Sequence, residues 1–166
     1  AHRVDREYRV MTALRGTAAP VPETMCLCED PAVIGKPFYV MEFCKGRVFK
    51  NVALPEVPRS ERRAYWLAVM EAMASLHAID YRAIGLDRFG RHTGYFSRQI
   101  GTFRRVEAAQ RAVSSSVPSI PYFDAMGDVL AAQLPPDSAG VITGDFKMDN
   151  VIFHPTQVCA CPAASA

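Results

Sequence analysis

The 166-residue chain predicts an α+β fold with two sub-regions: a helix and a small antiparallel sheet, followed by a mainly helical stretch. Three observations predict it. Residues 3–15, "RVDREYRVMTALR", place Val4, Tyr8, Met11 and Leu14 on one helical face, with charges on the other. "GKPFYVMEFCKG" sets aromatic and β-branched residues between glycine and proline boundaries, which is the pattern of a strand. From Ser60 onward the apolar period becomes helical and stays so until the last quarter of the chain.

Each element has its own local cause. Gly16 is a natural stop for the first helix. "APVPETMCLCED" starts as a proline-limited loop and becomes extended, so Cys26 and Cys28 share one strand face. That strand and the one over Phe38 to Phe43 are joined through "EDPAVIGKP" and read as antiparallel neighbours. Ser60 suits the N-cap of "ERRAYWLAVMEAMASLHAI", in which Trp66, Val69, Met73 and Leu76 form a stripe expected to be core. Helical patterns follow over roughly 95–113 (Phe96, Ile100, Phe103 in phase) and roughly 121–134 (Phe123, Met126, Leu130), with "SSSVPSIP" as the loop between them. The final residues, "PTQVCACPAASA", carry neither period and are expected to be an unstructured tail.

Bulk properties exclude several classes. At 49% hydrophobic and 22% charged, the chain has the composition of a soluble globular domain. A net charge of +2 gives no electrostatic footprint for nucleic acid. No apolar run approaches the roughly 20 residues of a membrane span, and the charged start "AHRVDREYRV" lacks the apolar core of a signal peptide. An intracellular location is therefore expected. The five cysteines are odd in number, and neither Cys26/Cys28 nor Cys159/Cys161 has the two-residue gap of a zinc knuckle, which favours reduced thiols.

The chemistry concentrates in "VITGDFKMDNVIF", residues 141–153. If Val141-Ile142 and Val151-Ile152-Phe153 pair as a hairpin, the loop 143–150 is held at both ends. Asp145 can then accept a proton from a hydroxyl or orient water. Asn150 offers a carbonyl oxygen that suits a hard cation such as magnesium. Lys147 can steady a phosphate as a point charge. A polar turn whose Asp and Asn cap local backbone donors fits the same residues. A metal-dependent hydrolase using Asp145 and Asp149 is less favoured, because no acidic or histidine cluster lies near them in the sequence.

A base followed four intervening residues later by a metal-binding Asn, just before an apolar strand, is the layout of a kinase catalytic loop. "TGDFKMDNVIFHPT" resembles the corresponding loop of the aminoglycoside phosphotransferase and choline kinase family. "REYRVMTAL", "VPETMCLCEDPAVIGKPFYVMEFCKG" and "LHAIDYRAIGL" resemble the same group in the same order, from about residue 2 to 156. The nearest resemblance is to the phosphotransferase domain fused to certain acyl-CoA dehydrogenases. It implies a protein-kinase-like two-lobe fold, with residues 1–44 as part of the upper lobe and hinge and 45–154 as part of the helical lobe; 155–166 form a divergent tail. It implies ATP and Mg2+ as cofactors and a small-molecule hydroxyl as the phosphate acceptor. Asp145 matches the catalytic base and Asn150 a magnesium ligand. Glu7 matches the helical glutamate that pairs with the phosphate-binding lysine. Met41 to Lys45 match the hinge, where the backbone of Glu42, Phe43 and Cys44 would hold adenine.

The chain also departs from that pattern. Ala1 is not preceded by a glycine-rich loop or a lysine, Thr143 stands where the family shows histidine, and "QVCACPAASA" holds no second magnesium-binding aspartate. Magnesium between two phosphates needs anionic ligands, and Asn150 is neutral. The expectation is therefore a domain truncated at both ends and inactive as this fragment, the alternative being a non-catalytic module that binds a nucleotide or a partner.

Overall fold

The computed structural model describes residues 3–113, 116–157 and 160–162. They fall into two compact units, residues 1–87 with 140–166 and residues 88–139.

The first unit begins with helix α1, Val4–Leu14, whose inner face buries Met11 and Leu14 as the sequence period requires. Gly16 follows at φ +75°, a left-handed conformation that ends the helix at little steric cost. Strands β1, Thr24–Cys28, and β2, Phe38–Met41, pair antiparallel with Leu27 opposite Tyr39 and Cys28 opposite Phe38. The connector expected as a loop folds a single helical turn, α2, Pro31–Ile34. Asp30 caps it by accepting from the Ala32 amide at 2.8 Å, and Pro31 supplies a preset first position. The register slips between Thr24 and Cys26, a bulge that leaves Met25 unpaired and 63% exposed.

Helix α1 is tied to this sheet by polar contacts. The Thr12 and Thr24 hydroxyls lie 2.8 Å apart. The rings of Tyr8 and Tyr39 meet at 6.1 Å. The Tyr39 hydroxyl donates to the Glu7 carboxylate, and burial together with that negative charge pushes its pKa up to about 12.

Helix α3, Arg62–His77, starts one turn-step later than expected, and its N-cap position is Glu61 with no side-chain cap. Ser60 therefore does not serve as the cap. The buried stripe is also rotated. Tyr65, Ala68, Val69, Ala72 and Leu76 face inward, while Trp66 is 39% exposed. Val69 and Leu76 belong to both possible stripes, so the helical period alone left a choice of about 100°. Tyr65 takes the inner position because Phe49 and Phe153 meet it there, at centroid distances of 5.4 and 5.3 Å.

The main core joins Phe49, Leu54, Val57, Tyr65, Val69, Met148, Val151 and Phe153, and a smaller one joins Leu14, Ala19, Leu76 and Val141. In the second unit, helices α4, Tyr95–Val113, and α5, Phe123–Ala132, occupy the two predicted stretches. Arg104 of α4 bonds the Asp124 carbonyl at 2.9 Å and the Asp128 carboxylate at 2.7 Å on α5. Both carboxylate oxygens of Asp137 accept from the Gly94 amide, at 2.9 and 3.0 Å, closing the ends of this unit.

After the unit returns at residue 140, strand β3, Val151–Phe153, pairs antiparallel with β4, Ala160–Pro162. This corrects two expectations. Val141-Ile142 is not the partner of β3, and part of the predicted tail is a strand. The short apolar run 151–153 needs a partner on each edge, and it takes Ala160–Pro162 on one and a bridge to Arg47 on the other. Among the described residues no helix is long and apolar enough to cross a membrane.

Two predictions follow from this packing. Phe153 is fully buried among aromatic rings, so Phe153→Ala is expected to cost about 3–5 kcal/mol in urea unfolding; a loss below about 1 kcal/mol would contradict the core assignment. Tyr39 has its folded pKa raised from 10.0 to about 12, so the fold favours the neutral phenol. Its contribution is fully present below pH 10 and lost as pH rises towards 12. In an ultraviolet titration one of the six tyrosines should ionise late, and Tyr39→Phe should remove that late component.

Candidate functional site

The first group of site residues lies where β2 ends. The Glu42 amide donates to the Glu23 carbonyl at 2.8 Å, which carries the sheet pairing one residue past Met41. The chain then leaves the sheet, and Phe43 is 86% exposed. The Cys44 thiol donates to the Glu42 carboxylate at 3.6 Å, so these two side chains are turned to each other. Glu42 and Phe43 are exposed and Cys44 is half-buried, so this segment leaves the sheet along the surface.

The second group is the loop before β3. Its anchor is Met148, 2% exposed and part of the main core, and its opposite end is fixed by Val141 in the smaller core. Between the anchors, Met148–Asn150 forms one 3-10 turn, closed by the Asn150 amide donating to the Lys147 carbonyl at 2.9 Å. That turn directs the polar side chains outward together. The Asn150 side-chain amide donates to both the Asp145 backbone carbonyl and its carboxylate Oδ2, each at 2.8 Å. The Lys147 ammonium lies 3.7 Å from Asp145 Oδ2 and 3.5 Å from Asp149 Oδ2.

One rim therefore holds two carboxylates, one ammonium and one amide. The Asp145 side chain is 62% exposed, so its carboxylate is accessible from solvent. Asn150 donates from its amide nitrogen to Asp145, and its Oδ1 is an oxygen of the type that hard cations take. Asp149 pairs with Lys147, as Asp145 does. Among the described residues no group of three or more His, Cys, Asp or Glu side chains could hold a metal. A hard cation at this rim would take Asn150 Oδ1, a neutral donor, and would need further oxygen ligands brought by a bound phosphate.

Glu7 stands on α1 with Tyr39 as its partner. The two main groups are linked through residues the sequence reading did not single out. The Arg47 amide donates to the Phe153 carbonyl at 2.8 Å, and the Phe153 amide donates back at 2.9 Å. The Arg47 guanidinium reaches the Tyr65 hydroxyl at 2.7 Å and the His154 carbonyl at 3.3 Å. The signal for this joint was present as Gly46-Arg47 directly after the strand pattern. Its partner lies 107 residues away, beyond what local periodicity can show.

The protein comparisons agree with this geometry. The model of the phosphotransferase enzyme family matches residues 1–161. The chain is 45% identical over 160 residues to acyl-CoA dehydrogenase family member 11 of Gallus gallus, covering 95% of this chain and 20% of that protein. It is 38% identical over 156 residues to family member 10 of Mus musculus, covering 93% of this chain and 14% of that protein. The chain thus spans about a fifth or less of the curated relatives it matches. A crystal structure described as a candidate aminoglycoside phosphotransferase from Ralstonia eutropha superposes with a TM-score of 0.85 at 39% identity, over 98% of this chain and 49% of that one. The fold is thus protein-kinase-like, and the chain belongs to the phosphotransferase enzyme family.

Proposed function

We propose that this chain is part of an ATP-dependent phosphotransferase domain that moves the γ-phosphoryl group to a small-molecule hydroxyl. The observation that carries the reading is the pairing of Asp145 with Asn150 on one exposed rim, 2.8 Å apart. Residues 1–44 form its sheet-bearing part and hinge, and 45–154 its helical part with the loop. The dehydrogenase names of the relatives support a longer protein in which this domain is joined to an acyl-CoA dehydrogenase.

Each residue then has a role. The backbone of Glu42, Phe43 and Cys44 holds the adenine edge. Asp145 accepts the proton of the acceptor hydroxyl as that oxygen bonds to the γ-phosphorus and the bond from phosphorus to the bridging oxygen breaks, releasing ADP. Asn150 orients Asp145 through its amide and offers Oδ1 to magnesium. When bound, magnesium neutralises charge on the phosphate oxygens. Lys147, held between two carboxylates, is a cation within reach of the transferred group. Glu7, beside Tyr39, is the carboxylate that would pair with a phosphate-binding lysine.

Thermal melting with and without MgATP tests this reading. Millimolar MgATP should raise the melting temperature of the wild type, and Asp145→Ala should keep that rise; in a longer protein that carries the whole domain, the same substitution should lower ATP turnover about 10²–10⁴-fold. Asn150→Ala should remove the part of the rise that depends on magnesium. A wild type whose melt does not move with millimolar MgATP overturns the nucleotide reading.

A further inference from the structure

The hinge and the Asp145 rim are far apart in sequence, and a phosphotransferase needs them at one fixed spacing, since errors near 1 Å are costly in rate. One joint in the structure sets that spacing. Gly46 and Arg47 follow the hinge directly, while Ile152, Phe153 and His154 directly follow the rim. These two short segments are held together in three ways at once.

The backbones close on each other. Arg47 and Phe153 exchange both amide-to-carbonyl hydrogen bonds, at 2.8 and 2.9 Å, as an isolated antiparallel bridge. The approach is so close that a Cβ on Gly46 would lie 2.4 Å from the Phe153 carbonyl oxygen and 2.3 Å from Ile152 Cγ2. Only glycine permits that contact without moving backbone. The side chain of Arg47 then spans the joint. Its guanidinium donates to the Tyr65 hydroxyl at 2.7 Å and, from Nε and Nη2, to the His154 carbonyl at 3.4 and 3.3 Å. Its planar head also lies 5.3 Å from the Tyr65 ring centroid and 5.7 Å from that of Phe49.

We propose that Arg47, seated by Gly46, is a positioning residue that holds the hinge and the Asp145–Asn150 rim at the spacing that phosphoryl transfer requires. The proposal rests on reading residues 42–44 and 145–150 as two halves of one nucleotide site. A planar fork is needed, because the same head must stack on rings while donating in two directions. Lysine keeps the charge but offers a compact ammonium that cannot do both. The rim side chains cannot fix this spacing themselves, being exposed and bonded only within their own loop.

Amide hydrogen exchange on this chain, followed by peptide mass spectrometry, tests the joint. Arg47→Ala and Gly46→Ala should each speed exchange of residues 143–150 by about tenfold, the scale of one hydrogen bond to a charged group. Exchange across β1 and β2 should stay as in the wild type. Tyr65→Phe, which removes one partner and keeps the ring, should shift the same segment by a smaller factor and covers the case in which Arg47→Ala does not fold. Unchanged exchange at 143–150 in all three, or an equal rise along the whole chain, overturns the proposal. Binding supplies the second readout. Arg47→Lys should weaken MgATP about tenfold while adenosine, which engages the hinge alone, is held within about twofold; an equal loss of both overturns the positioning role. If the wild type binds neither ligand, the nucleotide reading falls, and the exchange pattern still decides whether Arg47 sets the loop.

Discussion

The contact of Phe153 with Phe49 and Tyr65 is the interaction on which the rest of the first unit depends. The three rings meet pairwise at 5.2–5.4 Å in tilted and edge-on geometries, which suits their quadrupoles and excludes water. They come from three separated parts of the chain: the segment after the hinge, the start of α3, and the strand after the catalytic-type loop. Burying them together fixes where each part can go. Leu54, Val151 and Phe153, at 0% exposure, are fully shielded from water here.

The rim is built on that core rather than on its own charges. Exposed ion pairs such as Lys147 with Asp145 and Asp149 are worth little by themselves. What holds the loop is Met148 seated in the core beneath it and the 3-10 turn that follows from its placement. With the turn set, Lys147, Asp149 and Asn150 lie on the same side as Asp145, within reach of one another. The ion pairs then tune a geometry that packing has already chosen, and they leave the carboxylate of Asp145 accessible.

Much of this was legible in the residues. The amphipathic spacing of α1, the aromatic and β-branched β2, the antiparallel pairing with β1 and the positions of α4 and α5 all follow from local pattern, because each needs only its own neighbours to bury a face. Asp145 and Asn150 were also readable, since their spacing before an apolar strand is a local feature, and they do face each other. The failures have a common cause. Ser60, the rotated stripe of α3, the strand partner of Val151–Phe153 and the strand at Ala160–Pro162 were each decided by a contact distant in sequence. Trp66 and Tyr65 satisfy a helical period equally well until the rings of Phe49 and Phe153 are in place.

By itself the sequence determined most of the element types and the family, because periodicity, turn chemistry and short spacings act within a few residues. Only the tertiary structure decided which helix face is inner, which strand completes β3, and how the hinge is joined to the loop through Gly46 and Arg47. Those choices depend on where buried backbone groups and aromatic rings find partners, and a contact 107 residues apart leaves no periodic trace in the chain.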